Sequence, residues 1–156
     1  MEPFWDYSEL SWSEQHRYRE WVHEWRAARQ RARRGDCVHT VLEVDGELAG
    51  QLDAWLEPHH RRGELGIWVH SKWAGARVGV TSVGLLIDYL FGELGLERVS
   101  APICCGNAPP AALAIQRGFV REGVMRSYLR TGSGRRDHEL WSQTRPEWLA
   151  YKADSA

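Results

Sequence analysis

The sequence lacks the features typical of secreted and membrane proteins, such as many paired cysteines and long apolar runs. It has three cysteines, and Cys104 and Cys105 are adjacent, so no disulfide framework is expected. No spacing of cysteine and histidine resembles a zinc site, and no apolar run reaches the ~18 residues of a membrane-spanning helix. Residues 1–10 contain no apolar signal core. We therefore expect a cytoplasmic protein without a bound metal and without membrane contact.

Neither sign of charge prevails in the chain. Its 20 basic and 21 acidic residues give a net charge of −1, so no overall field draws it to nucleic acid or to a membrane. The 156 residues fit one domain with one core. The nine tryptophans are unusual, and they predict a thick core, an aromatic-lined pocket or an interface.

Residues 14–34 have the pattern of an amphipathic helix. Ser13 is suited to cap it, and Gly35 is suited to end it. The apolar positions recur at helical spacing; they are Tyr18, Trp21, Val22, Trp25 and Ala28. The opposite face is rich in arginine. We interpret it as a solvated face, and the alternative is a patch for RNA, a carrier protein or another acidic partner.

The rest of the chain reads as strands and helices in an α/β order. Asp45-Gly46 between two apolar runs predicts a hairpin. A helix over 80–94 is predicted to bury a stripe of Val83, Leu86, Ile87, Leu90 and Phe91. The predicted strands are 38–44, 47–56, 64–70, 98–104, 119–129 and 137–144, a loop is predicted over 58–62, and a short helix over 110–117.

This order predicts a mixed sheet with helices against its faces. Strand, helix and strand in the middle form a crossover, which gives one parallel pair in a mostly antiparallel sheet. We expect one domain overall: a lead-in and basic helix over 1–35, a core over 36–148 and a tail over 149–156.

Several short segments, taken together and in order, carry a family resemblance. They read VDGELAGQL at 44–52, GIWV at 66–69, FGELGLERV at 91–99, Asn107, GFVREGV at 118–124 and RDH at 136–138. Between about residues 38 and 148 the chain resembles the GNAT N-acetyltransferases, most of all the ribosomal-protein-alanine N-acetyltransferase branch. The resemblance implies a GNAT-like domain whose central parallel strands splay apart, with acetyl-CoA or another acyl-CoA as the donor and no metal.

The resemblance also implies where the donor binds. The pantetheine arm would lie between the splayed strands and pair with main chain around Trp68, Val69 and His70, and Asn107 would contact it. The diphosphate would sit on main-chain N–H groups where a loop enters the long helix, since that helix end is positive and has unpaired donors. The implied contacts are Lys72, Gly75, Arg77, Val78, Gly79, Val80 and Thr81.

The sequence departs from the family in three places. Arg77 stands where the donor loop has a second glycine or alanine, so it either binds phosphate or blocks the loop. Pro110 and Ala114 stand at the positions of the usual serine or tyrosine acid. The family's first strand and helix are not found before Glu2, so we expect a sheet edge that is lost, covered by the Trp-rich segment or supplied by a partner chain, as in a homodimer.

Candidate catalytic residues follow from the strand pattern. Glu64 and His70 are predicted on one strand face, where either could accept the amine proton, with a surface role as the alternative. Asp53 is a weaker candidate base, and Tyr128 is a candidate acid for which packing is the alternative. Asp137 and His138 match a motif of the resemblance, and a structural role is the alternative. Cys104 and Cys105 are interpreted as buried thiols rather than nucleophiles.

Three functions remain open from the sequence. The first is transfer of an acyl group, most simply acetyl, to a primary amine of a protein N-terminus or a small molecule. The second keeps the fold but takes the acyl group from an acyl carrier protein or an aminoacyl-tRNA. The third is a non-catalytic binding or regulatory domain, which the absent acid and first strand motivate.

Overall fold

A computed structural model describes residues 26–27, 30–131 and 134–154. Residues 30–34 are helical, and Gly35, with a φ of 78°, ends this segment as predicted. Most of the predicted N-terminal helix, including its Trp-rich stripe, lies outside the described residues. None of the helices in the described ranges is long and apolar enough to cross a bilayer.

Six strands form one mixed sheet. They are β1 Cys37–Val44, β2 Glu47–Glu57, β3 Arg62–Val69, β4 Arg98–Cys104, β5 Val120–Thr131 and β6 Gly134–Thr144. The strand order is β1-β2-β3-β4-β6-β5, and β3–β4 is the parallel pair among these strands. The Asp45-Gly46 hairpin is confirmed, with both residues at positive φ. The predicted α/β class, with a mixed and mostly antiparallel sheet that contains one parallel pair, is therefore confirmed.

Three further helices are described over their whole length. They are α1 Val78–Gly92, α2 Ala108–Gln116 and α3 Arg145–Asp154. The predicted stripe of α1 is buried, and residues of all three helices join one core with the same face of the sheet. α1 begins two residues before its predicted start. The loop predicted over 58–62 contains a short 3-10 turn at Pro58–His60, and β3 ends at Val69, so His70 lies outside it.

The sequence pattern gave no signal for α3, and the predicted tail begins inside it. The carboxylate of Glu147 accepts hydrogen bonds from the N–H and the hydroxyl of Thr144, which caps the helix. Trp148 stacks on Phe91 with ring centroids 5.4 Å apart, and its indole N–H donates to Asp88 at 2.9 Å. Lys152 forms an ion pair with the same carboxylate at 2.9 Å. Through these contacts α3 is fastened to α1.

We expect Trp148→Ala to lower the free energy of unfolding by roughly 2 kcal/mol, because a half-buried indole leaves a cavity beside Phe91 and Asp88 loses a donor. Urea denaturation followed by circular dichroism measures this. The neighbouring Leu149 is 54% exposed, so Leu149→Ala is the matched control and should change stability by less than about 0.5 kcal/mol. Equal effects of the two changes would contradict the docking of α3.

Candidate active site

The central parallel strands part after a short paired stretch. Their register joins Arg62 to Arg98, Gly63 to Val99 and Glu64 to Ser100. Both strands then continue, β3 to Val69 and β4 to Cys104, without further pairing to each other. The result is a V-shaped gap in the sheet, with Glu64 at its vertex and the C-terminal ends of both strands at its mouth.

Main-chain groups of β3 line this gap in alternation. The N–H of His70 donates to the carbonyl of Ala49 at 2.7 Å, and the carbonyl of Trp68 contacts Gly50, so both residues direct main-chain groups toward β2. Since successive residues of a strand point their main-chain groups to opposite edges, Ile67 and Val69 direct theirs into the gap. Of Trp68, Val69 and His70, only Val69 directs its main-chain groups into the gap, and Ile67, which the sequence did not single out, does so too.

The first turn of α1 stands beside the mouth of the gap. Its first helical hydrogen bond runs from Thr81 N–H to the carbonyl of Arg77 at 2.9 Å, so the amides of residues 78–80 have no acceptor within the helix. No side chain caps this end. Arg77 takes the N-cap position in the left-handed conformation, with φ 61°, and Gly75 is also left-handed, with φ 81°. The glycine or alanine expected at position 77 from the resemblance thus has a backbone reason in the case of glycine, which adopts this conformation without strain.

The two cations of this loop differ in what they contact. Lys72 forms an ion pair with Glu47 and lies over the ring of Trp73, 4.9 Å from its centroid. Arg77 and Thr81 are exposed, and their side chains make no hydrogen bond or ion pair with the residues that the structure describes. Arg77 therefore has its charge available beside the uncapped amides, whereas the charge of Lys72 is shared with a carboxylate.

Asn107 lies between β4 and α2, on the other side of the mouth. Its N–H donates to the carbonyl of Cys104 at 3.0 Å, which fixes the turn. Although it occupies the N-cap position of α2, its side chain makes no capping hydrogen bond. The structure therefore shows no cap by this side chain, and its contact with the donor stays a prediction.

The candidate bases Glu64 and His70 are not brought together. Glu64 sits on the last paired rung of β3 and β4, whereas His70 follows the end of β3, is exposed, and accepts a hydrogen bond from the N–H of Lys72 through Nδ1 at 3.1 Å. Six residues of extended chain separate them, which is roughly 20 Å. The two residues therefore cannot serve the same amine.

Tyr128 belongs to a bulged stretch of β5 near the end of β4. The register of β5 shifts between Met125 and Leu129, and Ser127 has a φ of 53°. The carboxylate of Asp137 accepts the N–H of Ser127 at 2.7 Å and so holds the bulge. The ring of Tyr128 meets the ring of buried His138 edge to face at 5.6 Å, and His138 pairs with Cys104 across β4 and β6. Asp137 and His138 thus shape the hairpin that carries Tyr128.

Asp53 lies on the sheet face opposite the three helices, and it is only 8% exposed. Its Oδ2 accepts a hydrogen bond from Gln51 at 2.6 Å. Its Oδ1 lies 2.9 Å from Nδ1 of His39, close enough for an ion pair, although neither atom completes a hydrogen bond. The sequence did not single out His39, because a single histidine within a strand matches no known sequence motif. This arrangement favours an anchoring role for Asp53 over that of a base.

An ion pair fastens the closed end of the gap. Arg98 of β4 donates to both oxygens of Glu122 on β5, at 2.6 and 2.7 Å, and Ser142 of β6 donates to the same carboxylate at 2.6 Å. The hydrogen bonds from Arg98, and then from Ser142, hold the pKa of Glu122 at about 2. Glu122 is therefore a carboxylate at neutral pH and joins three strands next to the vertex.

The chain matches known acetyltransferases over most of its length. The family model of the acetyltransferase (GNAT) domain matches residues 2–120. The chain belongs to the GNAT acetyltransferase family. The resemblance seen in the sequence is thereby confirmed at the level of the family.

Relatives of this GNAT domain include proteins named for ribosomal substrates. YdaF of Bacillus subtilis (strain 168), provisionally named a ribosomal N-acetyltransferase, is 30% identical over 116 residues, which are 74% of this chain and 63% of YdaF. RimJ of Mycobacterium smegmatis, solved in complex with CoA-disulfide, has a TM-score of 0.83 and 25% identity over 96% of this chain and 78% of RimJ. The ribosomal-protein-S5-alanine acetyltransferase of Vibrio fischeri shares the fold, with a TM-score of 0.81 and 20% identity over 92% and 81% of the two chains. The chain spans less than two thirds of the length of YdaF.

The cysteines and histidines of this GNAT domain form no metal site in the described ranges, since no group of three His, Cys, Asp or Glu side chains is placed to bind an ion there. Cys104 is buried, Cys105 is half-buried, and neither forms a disulfide. Burial raises the pKa of the Cys37 thiol. These surroundings favour the interpretation of the thiols as packing residues.

Proposed function

We propose that this GNAT domain transfers an acetyl group from acetyl-CoA to a primary amine. The gap between β3 and β4, which opens beside the uncapped first turn of α1, is the observation on which the proposal depends. A narrow thioester arm fits between two strands that part, and a diphosphate fits a helix end with unpaired N–H donors. The two features lie next to each other, as the adjoining pantetheine and diphosphate parts of one CoA molecule require.

Each part of the donor has a suitable partner. The main-chain groups of Ile67 and Val69 would pair with the pantetheine amides, as a third strand would, and the side chain of Asn107 would bond to the arm from the other side. The amides of Val78, Gly79 and Val80 would bind the diphosphate, with the guanidinium of Arg77 alongside. Gly79 leaves little room for a side chain, since a Cβ there would come within 3.1 Å of Leu113.

The reaction is a direct attack of a neutral amine on the thioester carbonyl. A carbon–nitrogen bond forms, the carbon–sulfur bond breaks, and CoA leaves as a thiolate that takes up a proton. We assign the proton from the amine to Glu64, directly or through water, because it lies at the vertex of the gap. Tyr128 remains the candidate donor to the thiolate, since its hairpin lies beside the end of β4.

For the acceptor we propose the N-terminal amine of a protein. The names of the relatives support a protein N-terminus, and a small-molecule amine is the alternative outcome of the same assay. Donors other than CoA lose part of their support, because the altered residue Arg77 leaves the main-chain donors of α1 uncapped and its own charge unpaired within the described part of the chain. A carrier protein or an aminoacyl-tRNA as the donor would need neither the uncapped main-chain donors of α1 nor the charge of Arg77.

Calorimetry with acetyl-CoA and with acetyl-pantetheine tests the donor, and thiol release in the presence of peptide amines tests the chemistry. We expect acetyl-CoA to bind at least ~10-fold more tightly, since acetyl-pantetheine lacks the diphosphate. Each acetylated amine should release one thiol. Turnover with an acylated carrier protein but no binding of acetyl-CoA would favour the carrier-dependent function. If neither donor gave turnover, the remaining interpretation would be the non-catalytic binding domain.

Arg77→Gly separates the two interpretations of the altered loop. We expect the Kd of acetyl-CoA to rise about 10-fold, the equivalent of one charge-assisted hydrogen bond, while the Kd of acetyl-pantetheine stays unchanged. Stability should be equal or higher, because glycine adopts the left-handed conformation without strain. Arg77→Lys, which keeps the charge, is the control and should stay within about threefold. Tighter binding of acetyl-CoA by Arg77→Gly would mean that the arginine obstructs the loop.

A further inference from the structure

The tip of the β5–β6 hairpin is strongly basic. Between residues 126 and 136 the sequence has Arg126, Arg130, Arg135 and Arg136 and neither aspartate nor glutamate. We call these four residues the arginine tip. Because the whole chain has a net charge of −1, this positive charge is a local feature of one hairpin.

The register of the hairpin places like charges opposite each other. Arg130 pairs with Arg135 across β5 and β6, one rung from the turn. Like charges directly opposite in a sheet are destabilising. The sheet has a second opposed arginine pair, Arg62 and Arg98, and there each guanidinium is matched by a carboxylate, Glu57 or Glu122.

Three members of the arginine tip, Arg126, Arg130 and Arg135, form no ion pair with a carboxylate in the part of the chain that the structure describes. Arg135 donates to the main-chain carbonyls of Ser127 and Tyr128, at 2.8 and 3.2 Å. Arg126 and Arg130 are exposed, and their side chains make no hydrogen bond or ion pair within the described ranges. The nearby acids are already engaged, Asp137 by the N–H of Ser127 and Glu139 by Arg121.

The arginine tip lies beside the mouth of the gap. Arg136 donates to the main-chain carbonyl of Cys105 at 3.4 Å, directly after the end of β4 and two residues before Asn107. An amine that approaches an acyl group through this side of the mouth therefore passes the hairpin. A molecule with several positive charges, such as a polyamine, would be repelled there.

We propose that the acceptor carries carboxylates in the residues that follow its reactive amine, as an acidic peptide N-terminus does, and that Arg126, Arg130 and Arg135 bind these carboxylates while the amine reaches past the hairpin into the gap. This inference rests on the proposed function and adds the class of acceptor to it. A peptide is favoured over a nucleic acid because Arg126, Arg130 and Arg135 span only a few residues of one hairpin, whereas binding to a phosphate backbone uses an extended basic surface.

Three peptides with the same first residue, and with Asp, Asn or Lys at positions 2–4, test the proposal. We expect the KM of the Asp peptide to be at least ~10-fold below that of the Lys peptide, with the Asn peptide between them. The differences in KM between the peptides should become smaller at high salt, because screening shortens the range of the attraction. Equal KM values for the three peptides would overturn the proposal.

Charge reversal locates the effect on the hairpin. In Arg126→Glu/Arg130→Glu the preference for the Asp peptide should be lost or reversed, with the KM of acetyl-CoA unchanged. Arg33→Glu/Arg34→Glu, which changes two exposed arginines of the helical segment before β1 and alters the net charge equally, is the matched control and should keep the preference. An effect of the control as large as that of the hairpin variant would contradict the assignment.

A binding assay keeps this test separate from the chemistry. Fluorescence anisotropy with labelled peptides measures the Asp-over-Lys preference even if no acetyl transfer occurs, so failure of the proposed function would be seen separately. Tighter binding of a labelled tRNA than of the Asp peptide, lost in Arg126→Glu/Arg130→Glu, would assign the surface to nucleic acid and overturn the proposal. Arg130→Gln should keep or raise stability while weakening the Asp peptide, which a purely structural residue would not do.

Discussion

Gly50→Ala is expected to destabilise the domain by roughly 3 kcal/mol, at the upper end for overpacking of a tight site. A Cβ at this position of β2 would collide with the carbonyl oxygen of Trp68 and come within 3.1 Å of the Cα of Val69. Both contacts are main chain, so no rotamer change relieves them. Strand β3 would have to move away from β2, toward the gap, and we expect acetyl-CoA binding to weaken more than ~10-fold.

Thermal unfolding and calorimetry measure the two effects of this change. Gly123→Ala is the matched control, because Gly123 also lies in a strand and a Cβ there would meet no atom within 4 Å. It should leave stability and donor affinity nearly unchanged. If Gly50→Ala were as stable as Gly123→Ala, the close approach of β2 to β3 would not hold. If the variant were less stable but bound acetyl-CoA normally, the position of β3 would not determine donor affinity.

Glu64→Gln is expected to lower kcat by roughly 100- to 1,000-fold, the range for loss of a general base. The amide has the shape of the carboxylate but cannot take the proton, so the Kd of acetyl-CoA should stay within about threefold. Stopped-flow measurement of the acetyl-transfer step, with calorimetry for the donor, checks both parts. The rate that remains should rise with pH, as the amine loses its proton to solvent.

The matched comparison is His70→Gln, which changes the other base candidate at the far end of the same strand. Because His70 is exposed, follows β3 and lies roughly 20 Å from Glu64, its loss should change kcat by less than about threefold. A large effect of His70→Gln together with a small effect of Glu64→Gln would move the reacting amine to the mouth of the gap. It would also overturn the assignment of the base.

The features that were predicted correctly from the sequence are those that a local residue pattern determines. Asp45-Gly46 requires positive φ at both positions, and the stripe from Val83 to Phe91 has helical spacing, so the first hairpin and α1 were identified. The order of elements identified the parallel pair of β3 and β4. Glu64 was selected by the strand pattern and Asn107 by resemblance, and both lie beside the gap, although their roles are still predictions.

The remaining features depend on tertiary contacts. Whether Ile67 or Trp68 directs its main chain into the gap is decided by the hydrogen bond between His70 and Ala49, which side-chain pattern does not encode. The bulge at Ser127 depends on one carboxylate, Asp137, ten residues away. Helix α3 is short, and its main anchor is the contact of Trp148 with Phe91 and Asp88, far away in the sequence.

Asp88 attaches α3 to α1 twice, through Trp148 and through Lys152. This helix would hold the donor diphosphate at its first turn, and in its third turn it holds the C-terminal helix through Asp88. We expect a ligand bound at the first turn to stabilise α1, and with it the contacts that α3 makes with this helix. Acetyl-CoA should consequently slow amide exchange of α3, and a fusion partner joined directly after residue 154 should weaken donor binding more than one joined through a long flexible linker.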